Sequence, residues 1–171
     1  MSTLLPSLTK LAGDHDLSGF TCGAAEIDQW LHERAWKGQI VGNATVYVFE
    51  HEGAVLGFYA IATGGVEHVD APGKVKRNAP NPIPVLLLAR LGVDTKAQGR
   101  KLGRLLLQDV LLRAIQISQS VAFRALLIHC RDETARDFYM HEVPSFRASP
   151  TDPLHLFMPL DALRHAFDSE R

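Results

Sequence analysis

Residues 93–103, VDTKAQGRKLG, follow the apolar run PVLLLARLG and lead into RLLLQDVLLRAIQIS. Two glycines sit among basic and amide side chains where a strand hands over to a helix. The spacing is Gln98-x-x-Lys101-x-Gly103, with Gly99 inside it. Neither GxxxxGK followed by Ser or Thr nor GxGxxG is present. A helix N-terminus nevertheless exposes about four unpaired N–H groups and a partial positive charge. Small residues there let the backbone approach a pyrophosphate, and Arg100, Lys101 and Arg104 add formal charge. The competing reading is that Gly99 only makes the turn and the basic side chains are solvated.

A second constellation is basic. Between Gly73 and Arg104 lie Lys74, Lys76, Arg77, Arg90, Lys96, Arg100, Lys101 and Arg104, against only Asp94. With a formal net charge of -1 for the whole chain, such a local surplus suits a phosphate-rich partner. A solvated face without a partner is the alternative. No aromatic residues are interleaved here, so base-by-base reading of RNA is not indicated. Asp14, Asp16, Glu26 and Asp28 read as ordinary exposed acids, with no paired-carboxylate site among them. The eight histidines form no HxxxH or HExxH pair, which argues against a metal site on a helix. Cys22 and Cys130 lie far apart, outside metal or redox spacing, and read as two reduced thiols.

The elements that must position these residues follow from periodicity. AAEIDQWLHERAW (24–36) puts Ile27, Trp30, Leu31 and Ala35 on one helical face. TVYVFE and AVLGFYAIAT flank the turn HEG and read as a β-hairpin. Residues 70–84 hold Pro72, Pro80, Pro82 and Pro84, and are expected to be a long surface loop, neither helix nor central strand. VLLLARLGV (85–93) does not alternate and reads as a strand buried on both faces. Residues 100–118 form a long helix with Leu102, Leu106, Val110, Ala114 and Ile117 on one stripe. RALLIHC (124–130) is another buried strand. DETARDFYMHEV (132–143) is a helix with Asp132 as N-cap candidate, and HLFMPL (155–160) a last strand. The alternation predicts an α/β or α+β fold around a mixed sheet.

These pieces together resemble the GNAT family of acetyl-CoA-dependent N-acetyltransferases. The family signature, Gln or Arg then x-x-G-x-G/A at the start of a long helix after a buried strand, is similar to Gln98–Gly103. The chain departs from it at Lys101, where the family has glycine. Within the family the chain looks most like toxins of toxin–antitoxin pairs that acetylate aminoacyl-tRNA. The similar stretches are F-x-CG (20–23), IDQWL, TVYVFE, GFYAI, LLLARLGVD, GRKLGRLLL, RALLIHC, ARDFY and SPTDPLHLFMPL. They run from about Phe20 to Leu160, most of the chain.

The resemblance implies a mixed central sheet flanked by helices, with a V-shaped splay between the strand ending at Val93 and the strand ending at Cys130. Acetyl-CoA would lie there. Backbone groups of Leu91, Gly92 and Val93 would hold the pantetheine and polarise the thioester. Gln98, Gly99, Arg100, Lys101, Leu102, Gly103 and Arg104 would take the pyrophosphate, and Asp132 joins the cofactor set. The family's catalytic tyrosine falls on Tyr139. A phenol with reference pKa of about 10 stays protonated at neutral pH and can protonate the departing CoA thiolate. Packing beside Phe138 as a core aromatic is the alternative. No dedicated base is evident; an α-amino group with pKa near 8 is already substantially neutral. Lys74, Lys76, Arg77 and Arg90 are the expected tRNA contacts. The implied partners are aminoacyl-tRNA, a ribbon–helix–helix antitoxin and a second copy of the chain in a homodimer.

The whole chain, 1–171, reads as one acetyltransferase domain. Its 171 residues, 46% hydrophobic and 22% charged, suffice to bury on the order of 70% of the unfolded surface. MSTLLPSLTK lacks a basic segment followed by an apolar run, so no leader is expected. No stretch approaches the roughly 20 apolar residues of a membrane span, and a cytoplasmic location is expected. Two other functions stay open at this point: acetylation of a small amine or protein N-terminus, and a non-catalytic module that binds CoA or a partner protein.

Overall fold

The structure, a computed structural model, describes residues 8–168. The opening residues 1–7, on which the expectation of no leader rests, lie outside the described residues. In chain order the elements are β1 (Thr9–Lys10), α1 (Ala25–Glu33), α2 (Ala35–Ile40), β2 (Thr45–His51) and β3 (Ala54–Val66). There follow α3 (Gly73–Lys76), β4 (Ile83–Val93), α4 (Leu102–Ser118), β5 (Ala125–His129) and α5 (Glu133–Glu142). β6 (Arg147–Ala148), β7 (His155–Pro159) and α6 (Leu160–Asp168) complete the set. The strands make a seven-stranded mixed sheet in the order β1-β2-β3-β4-β5-β7-β6. β4 and β5 are parallel, in register from Val85↔Ala125 to Leu88↔Ile128. β4 itself continues to Val93. Among the described residues no helix is long and apolar enough to cross a membrane.

The chain forms two compact units. The first takes the chain up to Ala62 together with Arg90–Asp109. Its core gathers Leu11, Phe20, Leu31, Ala35, Val46, Val48, Val55, Phe58 and Ala60. The expected hairpin is present, and its turn is Glu52–Gly53, both at positive φ (51° and 82°). That two-residue geometry matches the right-handed twist of the flanking strands. The helix expected over 24–36 is two helices, broken at Arg34, whose φ of -122° is not helical. Leu31 and Ala35 are buried and Ile27 and Trp30 pack on the same core, so the apolar face is the one expected.

The second unit takes Thr63–Ala89 and the chain from Val110 onward. Its core includes Ala71, Val75, Ile83, Val85, Ala125, Leu127 and Phe157. Here the proline reading needs correction. Gly73–Lys76 is a helical turn and β4 begins at Ile83, so Pro84 lies inside a strand. Pro72 stands just before the helix, where its missing N–H is not needed. Pro84 sits at the beginning of β4, and its carbonyl accepts from Arg124 N–H at 2.8 Å. Pro72 and Pro84 therefore stand at the beginnings of regular structure, while Pro80 and Pro82 lie in the loop between α3 and β4, as expected. In β4, Val85, Leu86 and Leu88 are buried while Leu87, Ala89 and Arg90 are half-buried, so burial on both faces holds only for the first half. α4 carries the expected stripe, widened by buried Leu107 and Leu111.

Candidate active site

In the first unit, β4 delivers Arg90, Leu91, Gly92 and Val93 into the loop that precedes α4. Asp94, at the strand end, is buried and organises that loop. Its carboxylate accepts from Thr21 N–H at 3.2 Å and from Lys96 N–H at 2.9 Å, the second bond capping the turn Thr95–Ala97. Thr95 N–H donates to Thr21 C=O at 2.9 Å. Gln98 Nε2 donates to the carbonyls of Cys22 (2.9 Å) and Val93 (3.0 Å). The amide of the signature glutamine thus ties the α4 loop to the strand end and to the 20–23 loop. The F-x-CG stretch is fixed by the same means, because Asp28 accepts from Cys22 N–H (2.8 Å) and Thr21 hydroxyl (2.9 Å). Asp28 is therefore not the ordinary exposed acid read from the sequence. Burial alone would raise its pKa, and these hydrogen bonds hold it below the usual carboxylate value.

The loop then turns into α4 through two left-handed residues, Gly99 (φ 80°) and Lys101 (φ 63°). Nothing lies within 4 Å of a Cβ built on Gly99, so it is the backbone angle and not crowding that calls for glycine. Lys101 C=O accepts from Leu105 N–H at 3.2 Å. That bond makes Lys101 the residue before the first helical turn and leaves the N–H groups of Leu102, Gly103 and Arg104 without an intrahelical acceptor. Arg100, Lys101 and Arg104 are exposed. The loop fits a pyrophosphate: its donors come from the backbone, and the cations stand outside them.

Lys101 occupies its left-handed angle without a glycine's freedom, at a cost of about 1–2 kcal/mol. Lys101→Gly is expected to raise stability by about 1 kcal/mol once the greater freedom of an unfolded glycine is set against that strain. Acetyl-CoA affinity should change by no more than a few fold, since the backbone N–H groups remain. Thermal unfolding and calorimetry check both.

In the second unit, β5 runs into Cys130 and Arg131, and α5 begins behind Asp132. Asp132 caps that helix as expected, accepting from Ala135 N–H at 2.9 Å, and its other oxygen is 3.0 Å from Arg131. Both carboxylate oxygens are thus in use within the protein. Tyr139 lies on α5, buried, its ring edge-on to Phe138 (5.2 Å) and Phe146 (6.4 Å). The ring is thus a core aromatic. Its hydroxyl is different: among the described residues it makes no hydrogen bond, although none of their buried side-chain oxygens goes unpartnered. Burial, with the Cys130 thiol adding to it, pushes the phenol well above its ordinary value, so it keeps its proton. Burial pushes the Cys130 thiol up as well, to about 11. Both cysteines are free thiols.

The basic residues divide between the units. Arg90, in the first, lies over the Trp30 ring at 5.1 Å. Lys74, Lys76 and Arg77, in the second, are exposed on and just after α3, around the buried Val75. Sequence reasoning missed two further cations on this side. Lys74 and Arg77 line a groove of about 410 Å³ together with Arg124, Arg164 and one acid, Asp161. Arg124 Nη2 donates to Arg77 C=O at 2.7 Å, which fixes one basic residue against another. No linear spacing links 77, 124 and 164.

The mixed sheet, the parallel β4–β5 pair and the glycine-bearing loop before α4 define an acetyltransferase architecture. The acetyltransferase (GNAT) domain model matches residues 42–142. The chain belongs to the GNAT acetyltransferase family. It is 44% identical over 149 residues to a tRNA-acetylating toxin of Mycobacterium tuberculosis, covering 87% of this chain and 89% of that protein. It is 31% identical over 159 residues to a probable toxin, TacT, of Sinorhizobium fredii, covering 88% of each. Two solved structures share the fold at 24% identity. AtaT complexed with acetyl-methionyl-tRNAfMet gives a TM-score of 0.83, over 94% of this chain and 98% of that one. AtaTR bound with AcCoA gives 0.80, over 94% and 97%.

Proposed function

We propose that this protein is a toxin that transfers acetyl from acetyl-CoA to the α-amino group of aminoacyl-tRNA and thereby blocks translation. The likeness to the tRNA-acetylating toxin, sustained over most of both chains, carries this reading. Acetyl-CoA supplies the activated acetyl group. Leu91, Gly92 and Val93 hold its pantetheine arm through the backbone, and Gln98–Arg104 hold the pyrophosphate. Asp132 has a supporting part in the cofactor site, through the cap that fixes the start of α5. Tyr139 Oη gives its proton to the sulfur as the thioester breaks. The surroundings that keep the phenol protonated also make a thiolate strongly basic, as the raised Cys130 thiol illustrates. The transfer is therefore not opposed by the phenol's high pKa alone.

Lys74, Lys76, Arg77 and Arg90 contact the tRNA backbone, with Arg124 and Arg164 extending the basic groove. The chain acts as a single acetyltransferase domain, in the cytoplasm, as a homodimer neutralised by a ribbon–helix–helix antitoxin. Acetylation of charged tRNA in a translation extract tests the activity. Reversing Lys74, Lys76 and Arg77 to glutamate is expected to weaken tRNA binding at least about tenfold. The same change should flatten its log–log dependence on salt by about 2–3, near 0.9 for each phosphate that is no longer neutralised. Acetyl-CoA affinity should stay within about twofold, because the pyrophosphate is held by backbone groups elsewhere. Affinity insensitive to both salt and the triple change would remove this face from tRNA binding.

A further inference from the structure

The second unit holds a cavity of about 510 Å³ that no role above uses. Its floor is apolar, with Val85, Leu127 and Phe157, and the adjoining Gly64 and Gly65 add no side chain. Its rim carries three carboxylates, Glu67, Asp70 and Asp152, and among the described residues that line it there is no lysine or arginine. Asp70 is held in place, its carboxylate accepting from Thr151 hydroxyl at 2.6 Å and its backbone carbonyl from Ser149 hydroxyl at 2.6 Å. Two histidines complete the rim. His129, at the end of β5, stacks on His155, at the start of β7, with ring centroids 4.1 Å apart and planes 19° from parallel. His155 Nε2 is 3.4 Å from Asp152 Oδ2.

This arrangement has a definite electrostatic character. A charge on the His155 ring, stacked so closely, disfavours a second charge on His129. Partial burial, then the His155 neighbour, hold His129 below the ordinary imidazole value, while Asp152 works the other way. The other charged groups that line the cavity are Glu67 and Asp70. At neutral pH His129 is therefore a neutral ring on a cavity that attracts cations and repels anions. The occupant that fits is a compact primary ammonium with a small apolar body and no carboxylate of its own.

We propose that this cavity receives the ammonium end of the acceptor, an amino acid whose carboxyl is esterified, and that His129 takes its proton. The inference rests on the reading of the chain as an acetyltransferase of aminoacyl-tRNA. One N–H bond of the ammonium breaks, its electron pair stays on the amine nitrogen, and the proton bonds to the imidazole nitrogen. The amine is then a nucleophile, and the imidazolium is stabilised by the three carboxylates. The same carboxylates explain why an ester is needed. A free amino acid would bring its own anion to Glu67, Asp70 and Asp152, and esterification removes that charge.

The test uses the full chain and L-alaninamide, which has an ammonium and no carboxylate, with L-alanine and N-acetylalaninamide as controls. Alaninamide should shift the His129 and His155 imidazole resonances saturably, with both controls at least about tenfold weaker. Asp152→Asn should weaken alaninamide further. His129→Gln should bind acetyl-CoA normally yet lose about 10²-fold or more in transfer to aminoacyl-tRNA. Wild-type transfer should fall on the acid side of the ordinary imidazole value, where His129 becomes protonated, and that acid limb should vanish in His129→Gln. Equal binding of alanine and alaninamide overturns the inference, as does a wild-type rate and pH profile for His129→Gln. If alaninamide binds as described but no aminoacyl-tRNA is acetylated, the toxin reading fails and the cavity stands. If aminoacyl-tRNA is acetylated and the His129 variant behaves as wild type, the cavity inference fails and the toxin reading stands.

Discussion

Tyr139→Phe is expected to lower acetyl transfer by about 10²–10⁴-fold, the range general acid catalysis contributes, at nearly unchanged thermal stability. The change deletes one hydroxyl. The ring keeps its edge-on packing with Phe138 and Phe146, and the hydroxyl makes no hydrogen bond among the described residues whose removal would unsettle α5. Acetyl-CoA affinity should hold within a few fold, because its binding is assigned to the backbone of β4 and the α4 loop. The pH profile adds a sign. A phenol held above its ordinary value stays protonated below that value, so no tyrosine limb should appear in wild-type activity below about pH 10. Cells should tolerate the Phe variant without an antitoxin while wild type arrests them. Acetyl transfer, calorimetry and melting curves on both proteins decide the matter. Near-wild-type turnover by a stable Phe variant would take Tyr139 out of the mechanism and leave water to protonate the thiolate.

Much of this architecture was legible because it is written in local patterns. The β2–β3 hairpin, α4 and α5 each carry a strong period and a start signal, and Asp132 caps α5 as its position ahead of the apolar residues implied. What escaped notice has no local pattern. β1 and β6 are two residues long and exist only because a neighbouring strand pairs with them. Arg34 breaks a continuous helical period, which no glycine or proline announces. Pro72 and Pro84 misled because the exclusion of proline from helices and strands is a rule about interiors, and these two stand at beginnings. In the candidate site the division is the same. Gln98–Arg104 was visible as a cluster within one turn of chain. His155 is set against His129 by the pairing of β5 with β7, and Arg124 and Arg164 meet Arg77 across a groove lined by distant segments of the chain. Asp94 looked like one acid among many cations. Its burial, and its two N–H partners, give it the opposite meaning.

Gly92→Val is expected to destabilise the protein by about 1–3 kcal/mol, the usual consequence of forcing carbon into a packed core. A Cβ on Gly92 would lie 2.9 Å from Phe58 Cε1, 3.3 Å from Ile27 Cγ2 and 3.4 Å from Phe20 Cζ. The first distance is shorter than real carbon atoms tolerate, so something must move. Phe58 has nowhere to go: it is fully buried, edge-on to Phe20 at 5.4 Å and stacked on Trp30 at 6.2 Å. Trp30 in turn lies under Arg90. The strain therefore falls on the β4 backbone at Leu91–Val93, the groups assigned to the pantetheine arm, and acetyl-CoA affinity should drop with stability. For a chain of this size each kcal/mol lowers Tm by about 2–4 °C. Gly92→Ala should show the same effects at smaller size. Phe58→Leu supplies the control. Alone it destabilises by opening space, but combined with Gly92→Val it provides the room the valine needs, so the two changes should cost less together than their sum. Strict additivity, or a Gly92→Val protein that melts with wild type, would mean that the strand relaxes freely. The glycine would then be required for the approach of the ligand and not for the packing beneath it.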